Sequence, residues 1–247
     1  MPSIICLTFD TDYATGDDLR RLFAEHPIPG RATLFLHAPM PGVDFGPHEI
    51  EPHPIFKASE PWEETLTAYE AQFPGTPRGL RPHSCATSHM LGIAMKRRGY
   101  LYSSVSAPMY QAGLRPYRQA WGVYELPIYY MDNMDYCMAQ NWPGRRHEPF
   151  DPAIIRRACG EEGLYVFDFH PIHLLMNTCS QAFYERARRR MVEEGATWGQ
   201  MRHPCRGAAT FFDELCGAMR AAGLESVTCL EVAEAYDREA CLSPKES

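Results

Sequence analysis

Ile4-Ile5-Cys6-Leu7-Thr8-Phe9-Asp10-Thr11-Asp12 is the stretch on which the fold reading turns. Its first six residues form a continuous apolar run, as a strand buried on both faces does, and the run stops at Asp10. Downstream, Leu19, Leu22 and Phe23 fall on one helical face, with Asp17 the expected N-cap. Ala32 to Leu36 is a second strand, and Ile50 lies in a short third that ends near His53-Pro54. Pro61 opens a helix through Leu66, Tyr69 and Phe73, and Gly79-Leu80-Arg81-Pro82 is a short strand end. Ser88 to Arg98 reads as a helix stopped by Gly99. Tyr100–Val105, Val123–Tyr130 and Leu164–Phe169 read as strands, Asp151-Pro152 opens a helix, and further helices lie near 180–194 and 207–222. Val227-Thr228-Cys229-Leu230 is the expected last strand and Glu231–Ala240 the closing helix. Strands alternating with helices through short connections predict a parallel α/β sheet. Residues 106–122 and 131–150 read as long loops rich in proline and aromatics, the expected lids.

Polar residues collect where these strands end. Asp10 and Asp12 follow the first, His37 the second, His53 the third, and Arg81 and His83 the fourth. Asp132 follows the Val123–Tyr130 run, and His170 and His173 follow Leu164–Phe169. In a parallel α/β barrel these ends converge on one mouth, where catalytic groups gather. Histidines and aspartates at one mouth make a metal-hydrolase candidate. Of the Asp10/Asp12 pair, one carboxylate can ligate a cation and the other can accept a proton from water. On a strand Arg81 and His83 share a face, so that Arg81 can grip a carboxylate while His83 reaches a metal. One of His170 and His173 can protonate a leaving amine; spacing does not choose between them.

Composition narrows the classes further. The chain has 247 residues, 45% hydrophobic and 22% charged, which fits a single globular domain and excludes a disordered chain. A net charge of −7 argues against a nucleic-acid partner, and the arginines at 186, 188, 189 and 190 read as a solvated helix face. No apolar run approaches the roughly 20 residues of a membrane span. The 9 cysteines lack any C-x-x-C spacing and read as free thiols, with Cys6, Cys216 and Cys229 buried. With no signal peptide visible, the expected location is the cytoplasm.

The ordered set of motifs resembles the polysaccharide deacetylases with a NodB-homology domain, carbohydrate esterase family 4. Leu7–Asp12 looks like the family's first motif, His48–His53 its second, Leu80–His83 its third and Phe169–His173 its His-bearing fifth. Ala32-Thr33-Leu34-Phe35 is similar to the strand after the first motif, and Phe211–Tyr236 to the final helix–strand–helix. The resemblance implies a distorted (β/α) barrel of about seven parallel strands spanning residues 1–247. It implies one divalent metal, usually zinc, and removal of an N-acetyl group from a sugar. The expected cytoplasmic location makes a nucleotide-linked or lipid-linked sugar precursor the expected carrier. It further implies Asp10 as general base, Asp12 and His53 as metal ligands, Arg81 as the group that steadies Asp10, and His170 as general acid. Asp132 or Asp135 is expected to orient that histidine.

Four departures stand out. Thr11 separates two aspartates that are adjacent in the family, which leaves their base and ligand roles open to exchange. Lys57 stands where a second motif histidine is usual, and His83 where the third motif has proline; His83 is the expected replacement ligand. The fourth motif's tryptophan is absent, with Tyr129-Tyr130 nearby. His173, Tyr129 and Asp132 are the expected substrate contacts, and Tyr110, Tyr117, Trp121, Tyr136 and Trp142 are further aromatics suited to stacking on sugar faces. The variant motifs look like a subgroup associated with bacterial surface-polysaccharide clusters. Two alternatives stand beside this reading: hydrolysis of another C–N bond, in a small amide or cyclic ureide, on the same barrel, and a non-catalytic carbohydrate-binding protein.

Overall fold

Alternation, rather than a single greasy face, organises the first apolar run. Ile5, Leu7 and Phe9 point into an outer core shared with Leu19, Leu22 and Phe212, while Cys6 points into an inner core with Phe35, Leu164 and Val166. Thr8 and Asp10 continue the inner face toward the strand's end. A computed structural model describes residues 2–57, 59–73, 75–141 and 147–242. Its strands are β1 (Ser3–Asp10), β2 (Ala32–Leu36), β3 (Glu49–Pro52), β4 (Gly79–Leu80), β5 (Tyr102–Ser103), β6 (Tyr117–Arg118), β7 (Tyr124–Glu125), β8 (Ile128–Met131) and β9 (Gly163–Phe169). Its helices are α1 (Gly16–Glu25), α2 (Trp62–Glu70), α3 (His89–Arg98), α4 (Asp132–Asn141), α5 (Pro152–Gly160), α6 (Pro171–Met176), α7 (Gln181–Glu194), α8 (Ala208–Ala221) and α9 (Cys229–Leu242).

The strands form a five-stranded sheet, β3-β2-β1-β9-β8, and a four-stranded sheet, β4-β5-β7-β6. Every pairing is parallel except that of β6 with β7. Two seams join the sheets. Across the first, Arg81 N–H donates to the Pro52 carbonyl (3.3 Å) and His83 N–H to the Pro54 carbonyl (3.0 Å). Across the second, Leu126 N–H reaches Ser103 O and Ile128 N–H reaches Ser106 O as the chain passes from β7 into β8. With β7 and β8 taken as one interrupted run, the parallel strands follow one another around a distorted α/β barrel, the architecture that the motifs imply.

Several local expectations change. The Val123–Tyr130 run is not one strand: it breaks at Pro127, and its halves serve different sheets. A bulge between Ile128 and Tyr130 then puts both Tyr129 and Tyr130 into the outer core. The expected strand at Val227–Leu230 reduces to isolated bridges from Ser226 to Ile5 and Gly30. The Thr228-Cys229-Leu230-Glu231 segment is a capping box, in which Glu231 accepts from Thr228 N–H and Thr228 Oγ1 accepts from Glu231 N–H, so α9 starts at Cys229. The cap of α1 is Thr15, boxed with Asp18, and not Asp17. The span 131–150 contains α4 where a loop was expected. Asp151 does cap α5, Gly99 does close α3 in a left-handed conformation, and all nine cysteines are free. No helix among the described residues is long and apolar enough to cross a membrane.

Candidate functional site

The ends of β1, β2, β3, β4, β8 and β9 converge as parallel strands require. At the bottom of the mouth lies Arg81, fully buried just beyond β4. Its Nη1 donates to Thr8 Oγ1 (2.8 Å), Asp10 Oδ1 (3.0 Å) and Asp168 Oδ1 (2.8 Å). Its Nε and Nη2 reach the Ser104 carbonyl and hydroxyl, and its guanidinium lies 4.2 Å over the Phe35 ring. A buried cation so fully engaged is a fixed post, and it clamps one oxygen of Asp10. Asp168 shares that post. Burial raises its pKa against the pull of Arg81. Asp168 is not among the site residues expected from the sequence, though a carboxylate inside an otherwise apolar strand, in register with Thr8, is a legible signal.

Above Arg81 sits Asp12, in the turn after β1. His53 Nε2 lies 3.3 Å and His83 Nδ1 3.1 Å from Asp12 Oδ2, and His37 Nδ1 lies 3.4 Å from Asp12 Oδ1. Burial opposes a charge on Asp12, but the His53 and His83 imidazoles beside it outweigh burial and hold its pKa below the ordinary carboxylate range. His53 Nδ1 bonds the Arg81 carbonyl at 2.6 Å. In the neutral imidazole that leaves Nε2 as a lone pair aimed at a carboxylate oxygen. Two electron pairs facing at this distance need a cation between them, either a proton or a metal ion. Asp12, His53 and His83 offer ligand atoms all within 4.8 Å of one another. Two imidazole nitrogens and a carboxylate oxygen suit zinc and its first-row neighbours, so the residues present fit a divalent ion. Arg81 and His83 do both face the mouth, but not by strand alternation: β4 ends at Leu80, and His83 opens a short 3₁₀ turn. Lys57 is exposed and paired with Glu60, and takes no part.

The opposite wall is built from β8 and β9. Asp132, the first residue of α4, accepts from His170 N–H (2.9 Å) and from Asn133 N–H (2.6 Å), and its Oδ1 lies 2.8 Å from His170 Nδ1. Burial alone lowers the His170 pKa, but the charges of Asp132, Asp168 and Asp10 reverse this and lift it to about 10. Its Nε2 faces the mouth, 3.9 Å from Asp12 Oδ2. His173 shares the wall but not the charge: burial brings its pKa down to about 4, and its nitrogens engage Tyr136 OH and Thr178 Oγ1. Asp135 is turned away from both, toward Tyr110 OH, His147 and Phe150 N–H.

Two cavities open at this mouth and share Asp12, His83, Asn133, Met134 and His170. One, about 370 Å³, reaches Asp10, His53, Cys85 and Met131. The other, about 300 Å³, reaches Tyr13, Tyr136, His173, Gln181 and Tyr184. Of the predicted site residues, the structure therefore brings together Asp10, Asp12, His53, Arg81, His83, Asp132, His170 and His173. It does not bring Tyr129 to them: that side chain is fully buried, packs against Tyr165 and Phe167, and bonds the Ile154 carbonyl. Of the other aromatics expected there, Tyr110 packs into the Asp135 cluster, Tyr117 lies on β6, Trp121 packs against His89, and Tyr136 lines the mouth. Trp142 lies outside the described residues. His37 is among the strand-end residues that the sequence gathers at the mouth, though without an assigned role, whereas no pattern marks Asn133 or Tyr13.

Comparison with known proteins identifies the family and the fold. The profile of a family described as WbmS-like, polysaccharide deacetylase, matches residues 7–188. Among solved structures, the chain is similar to a protein assigned as a polysaccharide deacetylase involved in O-antigen biosynthesis (WbmS) from Bordetella bronchiseptica. The TM-score is 0.68 at 24% identity, over 87% of this chain and 90% of the other. It is also similar to a protein assigned as a polysaccharide deacetylase from Mycobacterium smegmatis, with TM-score 0.56 and 17% identity over 99% and 93% of the two chains. No curated protein matches significantly.

Proposed function

The chain belongs to the WbmS-like polysaccharide deacetylase family, and on that footing we propose that it is a metal-dependent hydrolase removing an N-acetyl group from a sugar of surface-polysaccharide metabolism. The observation that carries the reading is the division of the mouth into two unlike halves around one space. On one side, imidazole nitrogens surround the single carboxylate of Asp12; on the other, carboxylates surround the single imidazole of His170.

Asp12, His53 and His83 would hold the ion. When bound, a divalent metal polarises the acyl carbonyl and makes water acidic enough to be deprotonated near neutral pH. Asp10 is the base: Arg81 clamps its Oδ1, which fixes the carboxylate in one orientation at the floor of the cavity. His170 is the acid. Asp132 holds its Nδ1, so the proton to be delivered sits on Nε2, which faces the mouth. That proton goes to the departing sugar nitrogen as the C–N bond breaks. His173 stays neutral and acts as a polar wall.

A nucleotide-linked or lipid-linked N-acetylated sugar, met in the cytoplasm, is the proposed substrate. The similarity to the Bordetella protein supports a surface polysaccharide as its destination. The test is metal content of protein purified without chelator, together with acetate release from N-acetylated nucleotide sugars, for wild type, His53→Ala and His83→Ala. About one equivalent of zinc or a similar ion, lost in both variants along with acetate release, is expected. Full occupancy in His83→Ala would remove that residue from the ligand set, and no metal uptake by wild type would end the metal-dependent reading.

A further inference from the structure

Tyr13 occupies a backbone position that suits glycine. Residues Thr11–Ala14 form a tight turn closed by Ala14 N–H to the Thr11 carbonyl at 3.1 Å, and Tyr13, its third residue, has φ +59°. That left-handed region is open to glycine and asparagine at this turn position and strains a bulky aromatic residue. The turn has no freedom to relax. Thr11 N–H is tied to the Phe35 carbonyl, Thr11 Oγ1 accepts from His37 N–H, and the Thr15/Asp18 capping box starts α1 immediately afterwards.

The strained side chain also contributes little to the core. Tyr13 is 56% exposed, one of four large hydrophobic residues so placed among the described residues. Strain without packing compensation is the signature of a residue kept for what it meets in solution. Its side chain lines the 300 Å³ cavity, directly after Asp12 in the chain, together with Gln181 and Tyr184 of α7 and His170. That lining pairs aromatic faces with amide, hydroxyl and imidazole groups. A pyranose ring has the matching chemistry, with C–H faces for the aromatics and hydroxyls for the polar groups.

We infer that Tyr13 is the platform on which the sugar unit carrying the acyl group is stacked, and so a substrate-positioning and specificity-determining residue. This rests on the deacetylase reading above. Tyr184, from α7, contributes a second aromatic ring to the lining of the same slot. A slot of this size, with Asp12 and His170 together in its lining, takes one monosaccharide unit with its acylamino substituent turned toward those two residues.

The experiment compares zinc-loaded wild type, Tyr13→Gly and Tyr13→Phe, with UDP-N-acetylglucosamine and UDP-N-acetylgalactosamine as probes. The readouts are acetate release, saturation-transfer NMR from the sugar-ring protons, metal content and thermal midpoint. Tyr13→Gly is expected to raise KM about tenfold, the scale of one aromatic contact, with a smaller change in kcat. It should lose the ring-proton signals, keep its metal and melt at a higher temperature, because the strain is gone. Tyr13→Phe should restore KM. An unchanged KM and unchanged ring signals in Tyr13→Gly, or a lower melting temperature, would overturn the inference while leaving the deacetylase reading intact. If wild type neither releases acetate nor shows saturation transfer from either probe, both fall together.

Discussion

The two walls of the mouth are made from the same residue types and wired in opposite ways. Around Asp12 the imidazoles of His37, His53 and His83 share one carboxylate. Around His170 the carboxylates of Asp132, Asp168 and Asp10 share one imidazole. Excess nitrogen lone pairs make a place for a cation; excess negative charge makes a place that keeps a proton. His173 sharpens the lesson. It lies three residues from His170 on the same wall, yet without a carboxylate in hydrogen-bond contact it is driven to the neutral form. Ratio and contact, rather than the presence of histidine, assign the roles.

The strongest way to break this comparison is Asp10→Asn. If Asp10 is the base between the walls, turnover should fall by up to about 10⁴-fold while metal content stays at the wild-type value. Acetate release at wild-type rate would refute the assignment. Next is Arg81→Leu, which strands two buried carboxylates. A loss of about 3–5 kcal/mol in urea unfolding is expected, since removing one partner of a buried ion pair leaves uncompensated charge.

Asp132→Asn probes the proton-keeping wall alone. It should lower kcat about a hundredfold without releasing metal, and it should change the pH dependence of stability. The His170 pKa is raised from its usual 6.5 to about 10 in the fold. Its pairing therefore stabilises fully below about pH 6.5, and the contribution disappears as pH climbs through about 10. The decline in melting temperature across that window should flatten in Asp132→Asn, and a decline as steep as in wild type would count against the pairing.

The smallest effect belongs to His37. Its buried Nδ1 has no hydrogen-bond partner among the described residues and points at Asp12 Oδ1, the oxygen turned away from His53 and His83. His37→Ala should weaken metal binding about tenfold, as loss of a residue that orients a ligand does, with stoichiometry kept. Isothermal titration of apo-protein with zinc reads this directly, and a loss of stoichiometry would make His37 a ligand instead.

Much of this site was legible because parallel strands put their C-terminal ends together. Once Ile4–Phe9, Ala32–Leu36 and Leu164–Phe169 are recognised as strands, Asp10, Asp12, His53, Arg81, His83, Asp132 and His170 share a mouth by topology. Tyr129 misled because alternation alone would turn one of Tyr129 and Tyr130 inward, whereas the bulge turns both outward. Val227–Leu230 misled because β-branched residues suggest a strand, while the Thr228/Glu231 capping box, also visible in the sequence, starts a helix. Asp168 was passed over because its partner Arg81 is 87 residues away, and only folding shows which buried charge neutralises which.

By itself the sequence determined the strand–helix alternation, the caps that end the helices, and the order in which polar residues follow the strands. Those depend on local periodicity and on hydrogen bonds within a few residues. Only the tertiary structure decided that the run around Pro127 divides between two sheets, that Asp168 shares the Arg81 guanidinium with Asp10, and that His170 is charged while His173 is not. Those outcomes depend on distance, burial and the summed field of residues far apart in the chain, and no local pattern carries them.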